Sequence, residues 1–430
     1  MLPAHHSLQF RVHTRVLLTL LVALAATAML WAEPPHRVLL READSATKAG
    51  DLPLAIEKLE ATCALRPDYP RGRFLLANAY LTAGRGSDAL AQLRNLGERG
   101  ITSGALKSPA VVAALGNLEG FADVAARFQQ NAQPIGNAVT RHTLPAQEGI
   151  VESIAIDQQG RYYFGDVRQR CIWMLDENGA LKRFSQVQDG MLGIFGLAID
   201  EARGVLWAGV SAVPEMAGYT ATDSGGGYVA EYDLATGSYR RSLQLPTAGG
   251  WHVLGSLRLA RDGSVFVSDS ASPVIWRAAP GATQLEAWLE HDHFASLQGL
   301  DFSADGRTLY VADYANGIWR IDVATKQPTL LKPAGDTTLF GIDDLHVVDD
   351  ALLGVQNGIA PSRIVRIALR GDEPHHAEVL LQGHAAMTDA ATGVLRNGRF
   401  EFLANSGWAL FEGNKSAPAP RDVTVLALDL

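Results

Sequence analysis

The sequence predicts an all-β six-bladed β-propeller that follows an all-α helical-repeat region. Three observations lead to this fold class. After Pro134 the chain consists of short, alternating apolar runs separated by glycine turns, which indicates β-strands. One strand pattern then recurs at intervals of 43 to 59 residues, the period of propeller blades. Before Pro134 the apolar residues instead recur at helical spacing.

Composition and charge limit the classes of protein to which the chain can belong. It has 430 residues, of which 47% are hydrophobic and 19% charged, and this is typical of a globular protein. The formal net charge is −9, so the chain lacks the basic excess that binding to a phosphate backbone requires. We therefore expect no nucleic-acid partner. Cys63 and Cys171 show no metal-site spacing, and we expect them to be buried thiols.

Residues 1–32 have the pattern of a targeting segment. Arg11 and Arg15 precede an uncharged, Leu- and Ala-rich stretch over residues 16–32, and Ala26 and Ala28 form a small-x-small cleavage site. This pattern predicts a signal peptide and a periplasmic or secreted protein. The alternative is an uncleaved N-terminal anchor, and only in that case do we expect contact with a membrane.

The helical-repeat region spans residues 36–130. Its apolar and small residues repeat with a fixed period, and three pairs lie 34 residues apart: Gly50 and Gly84, Ala55 and Ala89, and Leu59 and Leu93. This pattern resembles the tetratricopeptide repeat, in which paired helices stack on their neighbours. The resemblance implies a protein partner for the repeats. Plain helical hairpins acting as a spacer are the alternative.

Residues 138–430 contain six copies of the propeller template. Each copy has an innermost strand, a turn, a second strand that ends in a polar residue, and a third strand that often reads Ile-Trp-Arg, as at Ile275 and Ile318. The turns fall at Gly160, Gly204, Gly263, Gly306, Ala351 and Gly398. The last copy has three evident strands, so we expect residues 139–144 to supply its fourth strand, close the ring and hide both sheet edges.

The template also predicts which residues converge at one mouth of the ring. In a propeller, innermost strands start and second strands end on the same face. The strand starts are Glu152, Phe195, Gly255, Gln298, Asp343 and Ala390, and the second-strand ends are Asp166, Val210, Asp269, Asp313, Asn357 and Asn405. Clustered carboxylates repel one another unless they are protonated or bridged by a cation. A divalent cation bound by oxygen ligands is therefore expected there.

Some of these residues have a second explanation. An Asp at the end of a second strand often accepts hydrogen bonds from its own backbone, so Asp166, Asp269 and Asp313 are candidates either for substrate binding or for this local role. The other substrate-binding candidates are Asn357, Asn405, His252 and His384, of which the two histidines lie in connections between blades. His291 and His293 occupy another such connection, where a solvated role is the alternative.

The blade text resembles a known family. The segments V-E-S-I-A-I-D, L-Q-G-L-D-F-S-A-D-G and G-I-D-D-L-H-V-V-D-D are similar to those of the six-bladed gluconolactonase, regucalcin and luciferin-regenerating family. By motif, the resemblance places the family's metal ligands on Glu152, Gln298 and Asp343, with Gln298 standing where the family has Asn. It implies Ca²⁺, with Zn²⁺, Mg²⁺ and Mn²⁺ as alternatives. A further family asparagine falls at Gly255 and is missing.

The resemblance also implies a reaction. The expected activity is metal-dependent hydrolysis of a small-molecule lactone or ester, with Asp343 as the catalytic general base and Asp344 as the less favoured choice. The alternative is a non-catalytic propeller that, with the helical repeats, serves as a binding or scaffold protein. The altered Gln298 and Gly255 favour this alternative, whereas the acidic Glu152 and Asp343 favour the enzyme.

Overall fold

The computed structural model describes residues 33–176, 178–185, 191–246, 250–411 and 419–430. The predicted targeting segment, residues 1–32, lies outside the described residues. The described chain divides into two compact units, one with residues 36–133 and 358–361, the other with residues 134–357 and 362–430. No helix in these described ranges is long and apolar enough to cross a membrane.

The first unit consists of helices joined by tight turns. Gly50 and Gly84 adopt left-handed φ angles of 77° and 72° in the turns that follow the first and third helices, a conformation that glycine tolerates best. Ala55 and Ala89 are fully buried, which lets neighbouring helices approach closely. The helices are α1 (Pro35–Lys48), α2 (Leu52–Leu65), α3 (Pro70–Thr82), α4 (Gly86–Glu98), α5 (Pro109–Leu115) and α6 (Phe121–Asn131).

The second unit is a six-bladed propeller, which confirms the predicted fold class. Its described residues form six antiparallel sheets of four strands each. In chain order, β1 is Val139–Gln147. Blade 1 contains β2 (Val151–Ile156), β3 (Tyr162–Asp166), β4 (Cys171–Leu175) and β5 (Leu181–Arg183). Blade 2 contains β6 (Gly193–Asp200), β7 (Val205–Ser211), β8 (Gly227–Asp233) and β9 (Tyr239–Gln244).

The remaining blades follow the same order from the innermost strand outward. Blade 3 contains β10 (Leu254–Leu259), β11 (Val265–Asp269), β12 (Val274–Ala278) and β13 (Glu286–Glu290). Blade 4 contains β14 (Leu297–Phe302), β15 (Thr308–Asp313), β16 (Gly317–Asp322) and β17 (Pro328–Leu330). Blade 5 contains β18 (Ile342–Val348), β19 (Ala351–Gln356), β20 (Arg363–Arg370) and β21 (Glu373–Gln382). Blade 6 contains β22 (Gly393–Arg396), β23 (Arg399–Leu403) and β24 (Arg421–Asp429), with β1 outermost and a short helix, α7 (Trp408–Phe411), after β23.

The ring closes through the N-terminal strand, as predicted. Strand β1 pairs antiparallel with β24 from Val139 opposite Ala427 to Gln147 opposite Arg421. Blades 6 and 1 also share a polar contact, because the buried hydroxyl of Tyr162 donates a 2.5 Å hydrogen bond to the carboxylate of Glu401. Strand pairing inside blade 6 therefore joins both ends of the propeller.

Candidate active site at the propeller mouth

The predicted mouth positions coincide with irregularities in the innermost strands. In blades 1, 2 and 5 the pairing register shifts around a single residue, at Glu152, Phe195 and Asp343. In blades 3 and 4 it shifts between Leu254 and Leu257 and between Leu297 and Leu300, which brackets Gly255 and Gln298 respectively. A β-bulge leaves its extra residue out of the ladder and re-aims the side chain. Five blades therefore use the same backbone device where the mouth residues stand.

Asp343 is held by Asn357, which follows the second strand of the same blade. The side-chain amide of Asn357 donates one hydrogen bond to Oδ2 of Asp343 and another, of 2.9 Å, to the carbonyl oxygen of Ala390 in the next blade. Asn357 is only 6% exposed, and over the described ranges its buried Oδ1 has no hydrogen-bond partner. An unpaired buried acceptor costs free energy of folding. The Asn357 amide is therefore oriented by its two donated hydrogen bonds, to Asp343 and to Ala390, and not by its own oxygen.

Glu152 is held by an aromatic side chain from blade 6. The indole Nε1 of Trp408 donates a 2.5 Å hydrogen bond to Oε2 of Glu152. The buried carboxylate of Asp389 accepts bonds from the backbone N–H groups of Gly407 and Trp408, which fixes the start of α7. The ring of Phe195 lies 6.0 Å from that of Trp408. Blades 1, 2 and 6 thus meet at this side of the mouth.

The side chain of Gln298 lies beside Gly255, the mouth position that has no side chain. Its Nε2 donates a 3.2 Å hydrogen bond to Oγ of Ser296. A Cβ atom placed on Gly255 would lie 3.7 Å from Oε1 of Gln298 and 3.4 Å from Oγ of Ser270, which are ordinary contact distances. A Cβ atom would therefore fit at Gly255, in contact with the amide of Gln298.

Asp166, Asp269 and Asp313 serve the blade structure. All three are fully buried, and each accepts a hydrogen bond from the indole N–H of the tryptophan in the third strand of its own blade, over 3.1 to 3.2 Å. Each also accepts backbone N–H groups from the segment before the innermost strand, as Ile150 donates to Asp166. This is the local role that was the alternative to substrate binding. All three carboxylates are buried and make the contacts of this local role, and their substrate-binding role stays a prediction.

Burial raises the pKa of Asp166. Loss of water around the carboxylate raises the pKa from 3.8 to about 6, although the N–H groups of Gln169, Trp173 and Ile150 act in the opposite direction.

The other predicted substrate contacts lie in separate places. Asn405 accepts the N–H of Thr424 at 2.7 Å and donates to the carbonyl of Asp422, so its amide supports strand β24. His252 is 6% exposed, and its Nδ1 lies 2.7 Å from Oδ2 of Asp269. His384 is partly buried and accepts the N–H of Ala386 through Nδ1. The substrate-binding role of the two histidines remains a prediction.

A buried polar network that sequence reasoning missed involves the innermost strands. Nε2 of His346 lies 2.8 Å from Oδ2 of Asp344, and Nδ1 of His346 lies 3.0 Å from a guanidinium nitrogen of Arg258 in blade 3. Arginine can only donate hydrogen bonds, so Nδ1 of His346 accepts from Arg258. The N–H at Nε2 therefore donates to the carboxylate of Asp344. Asp344 also accepts the N–H of Gly393 in blade 6. These bonds commit Asp344 to holding blades together and leave Asp343 as the carboxylate at the mouth.

Trp408 was also missed. The template located tryptophans only in third strands, whereas Trp408 lies between the second and third strands of blade 6. The available signal was Asp389, which stands just before the innermost strand and binds the backbone of Trp408. An Asp in that position indicates a structured loop after the second strand.

The mouth offers oxygen donors to a cation, and their chemistry fits a hard divalent ion. They are the carboxylates of Glu152 and Asp343, the amide oxygen of Gln298 and the unpartnered Oδ1 of Asn357. Over the described part of the chain, no three His, Cys, Asp or Glu side chains gather as a metal-binding group. The fit therefore depends on amide oxygens as well as carboxylates.

Comparison with solved structures finds propellers of other functions as well as lactonase-like ones. A luciferin-regenerating enzyme is 11% identical, with a TM-score of 0.48, and the match covers 68% of this chain and 96% of that protein. A structural-genomics target provisionally assigned as a gluconolactonase is 14% identical, with a TM-score of 0.46, over 68% and 94% of the two chains. The PQQ-bound aldose sugar dehydrogenase of Streptomyces coelicolor is 12% identical, with a TM-score of 0.47, over 69% and 98%. Similarities at this level concern the fold alone.

Sequence comparison characterises the first unit. Residues 46–100 match the tetratricopeptide repeat family, in agreement with the 34-residue period. Comparison with curated protein sequences gives no match. The chain thus combines a segment that matches the tetratricopeptide repeat family with a six-bladed propeller.

Proposed function

We propose that the propeller is a metal-dependent hydrolase of the lactonase or esterase type that acts on a small molecule at its mouth. One observation carries the proposal: Glu152, Gln298 and Asp343 stand at the β-bulges of three innermost strands in one ring. Bulges of this kind are frequent next to active sites because they re-aim a side chain. The ring therefore presents two carboxylates and one amide at the same rim.

These residues would hold a divalent cation, for which Ca²⁺ is the first choice and Zn²⁺, Mg²⁺ and Mn²⁺ are alternatives. Two carboxylates and amide oxygens are the mixed donor set that Ca²⁺ accepts. When bound, the ion supplies a Lewis acid for the carbonyl oxygen of the substrate. Asn357, whose Nδ2 donates to Asp343, would offer the further oxygen, since its Oδ1 has no hydrogen-bond partner among the described residues.

Asp343 acts as the general base. It takes a proton from the water that attacks the carbonyl carbon; the carbon–oxygen bond of the lactone or ester then breaks, and the leaving oxygen receives that proton. The amide of Asn357 holds Oδ2 of Asp343, which limits the rotation of the carboxylate. Trp408 does the same for Glu152 through its indole N–H. Each mouth carboxylate thus accepts a hydrogen bond from a neutral side chain that helps to position it.

Metal content and thermal stability before and after chelation test this proposal. The protein from residue 33 onward is compared with the Glu152→Ala/Asp343→Ala double variant. Asp350→Ala is the matched control, since Asp350 is exposed in the turn that follows the same innermost strand as Asp343. We expect one bound ion in the wild type and the control, none in the double variant, and a lower melting temperature after chelation. A wild-type protein that contains no ion and whose melting temperature does not change with chelator would contradict the proposed metal-dependent hydrolase.

A second candidate is a non-catalytic binding protein. Two observations favour it: Gly255 lacks a side chain at the mouth, and residues 46–100 match a repeat that commonly mediates protein contacts. Affinity capture with residues 33–430 and with the Glu152→Ala/Asp343→Ala variant separates the two functions. The binding protein would retain its partner in both forms and hydrolyse neither lactones nor esters.

We also propose that the protein is exported, to the periplasm or the medium. The support is the basic and then apolar pattern of residues 1–32. Fractionation of cells that express the full chain tests this, and recovery in the cytoplasm at full length would contradict it.

A further inference from the structure

We infer that the mouth selects lactones or esters that carry an apolar, ring-sized substituent and discriminates against polyhydroxylated lactones. This inference rests on the proposed function and names its substrate class. It is carried by the Phe195–Trp408 pair, by the commitment of the Trp408 N–H to Glu152, and by the space at Gly255.

The aromatic pair brings an apolar surface next to a catalytic carboxylate. Phe195 occupies the bulge of blade 2, where blades 1, 4 and 5 carry Glu, Gln and Asp. Its ring and that of Trp408 are 6.0 Å apart and tilted by 35°, and each keeps 5% of its surface exposed. A substituent that enters beside Glu152 would meet the small exposed part of these rings, and aromatic carbon favours apolar groups through burial of surface and ring contacts.

Among the described residues, this side of the mouth offers a ligand few side-chain hydrogen-bond donors. The indole N–H of Trp408 is already used at 2.5 Å by Glu152. Three of the six mouth positions are Phe195, Gly255 and Ala390, and none of these side chains can donate or accept a hydrogen bond. A polyhydroxylated ring would bury hydroxyl groups without partners there, and such groups lower affinity.

The backbone at Gly255 would accept a side chain, and this makes the discrimination testable by gain of function. A Cβ atom there meets Oγ of Ser270 at 3.4 Å and Oε1 of Gln298 at 3.7 Å, so the first atom of a side chain makes ordinary contacts. Gly255 also does not have a left-handed φ angle. An amide introduced at this position would stand beside Gln298 and offer the hydrogen bonds that the ring lacks.

Binding of two stable lactams tests the inference without requiring turnover. Isothermal titration calorimetry compares a 6-phenyl-δ-valerolactam with gluconolactam in the presence of Ca²⁺. We expect the wild type to bind the phenyl lactam at least about 10-fold more tightly, since an aromatic contact and its buried area are worth about that much. Phe195→Ala should lose this preference and Phe195→Leu should keep most of it. Gly255→Asn should gain affinity for gluconolactam.

Opposite results overturn the inference: tighter binding of gluconolactam by the wild type, an equal loss for both lactams in Phe195→Ala, or no binding of either lactam to folded protein. Circular dichroism establishes folding, and Gly255→Asn serves if Phe195→Ala unfolds. Hydrolysis assays with the matching lactones separate this result from the proposed function. Selective binding of the phenyl lactam without hydrolysis of either lactone would contradict the proposed hydrolase and support the apolar selectivity. Faster hydrolysis of gluconolactone would support the hydrolase and contradict the apolar selectivity.

Discussion

Nε1 of Trp408 lies 2.5 Å from Oε2 of Glu152, so an aromatic residue of the last blade positions a carboxylate of the first. The bond spans 256 residues of sequence. Its two ends are placed independently, because a β-bulge presents Glu152 and the carboxylate of Asp389 fixes the backbone of Trp408. The position of this carboxylate at the mouth therefore depends on ring closure.

Trp408→Phe separates the hydrogen bond from the aromatic packing. The substitution keeps a ring against Phe195 and removes the N–H that holds Glu152, so we expect hydrolytic kcat/KM to fall roughly 10- to 100-fold, as is typical when a partner of a ligand or catalytic group is lost. The melting temperature should change little. Trp288→Phe is the control, because Trp288 is equally buried in an outer strand of blade 3. Equal kinetics in the two variants would show that Trp408 only packs.

Asp313→Ala should destabilise the propeller strongly. The carboxylate of Asp313 accepts the backbone N–H groups of Ala295, Ser296 and Ala315 together with the indole of Trp319, all over 3.0 to 3.2 Å. Removal would leave several buried donors unpaired, and we expect a loss of more than about 3 kcal/mol in the free energy of unfolding.

Asp305→Ala is the matched control for this experiment. Asp305 lies in a turn of the same blade and bonds to Arg307, but its side chain is 50% exposed. We expect a cost of less than about 1 kcal/mol. The two unfolding midpoints in urea give the comparison, and similar midpoints would contradict the structural role of Asp313.

The sequence was sufficient to predict the architecture because each blade repeats the same local chemistry. Turn glycines and polar residues at second-strand ends recur in most blades, and a tryptophan recurs in the third strand of three blades; all are local signals. The structure shows why the tryptophan and the polar residue occur together in blades 1, 3 and 4. The indole N–H of the tryptophan donates a hydrogen bond to the polar residue, as Trp276 does to Asp269. The period alone could not supply this contact, although both partners were recognised separately.

The site was less predictable because its contacts join residues that are far apart in the chain. Glu152, Gln298 and Asp343 could be proposed from their place in the repeat. Trp408, which holds Glu152, acts across blades and has no periodic signal. Asn357 was recognised from its place in the repeat, but its hydrogen bonds to Asp343 and to the carbonyl of Ala390 depend on side-chain geometry that the period does not contain. For Asp166, Asp269 and Asp313 the sequence left two roles open, because an Asp at the end of a second strand suits both a ligand and a turn.

Asp166 should make the stability of the propeller depend on pH. Burial raises its pKa from 3.8 to about 6, so the folded protein holds this proton more tightly than the unfolded chain. Its contribution is fully present below about pH 4 and is lost as the pH rises through about 6, a change of about 3 kcal/mol. Asp166→Asn does not titrate. Relative to this variant, the wild type should therefore lose stability between pH 4 and 7 in urea unfolding experiments, and a constant difference would refute the assignment.

Asp344 should show the opposite dependence on pH. Burial alone raises the pKa of this carboxyl group, but His346, Arg258 and the N–H of Gly393 together hold it below its ordinary value of 3.8. The folded protein then binds this proton less tightly than the unfolded chain does. The resulting stability is present above about pH 4 and is lost as the pH falls through the lowered pKa.

Relative to Asp344→Asn, the wild type should thus become less stable on acidification below pH 4, where the Asp166→Asn comparison is already constant. Parallel pH profiles of the two comparisons would show that Asp344 is not stabilised by its neighbours, and would remove the reason for assigning the catalytic role to Asp343 alone.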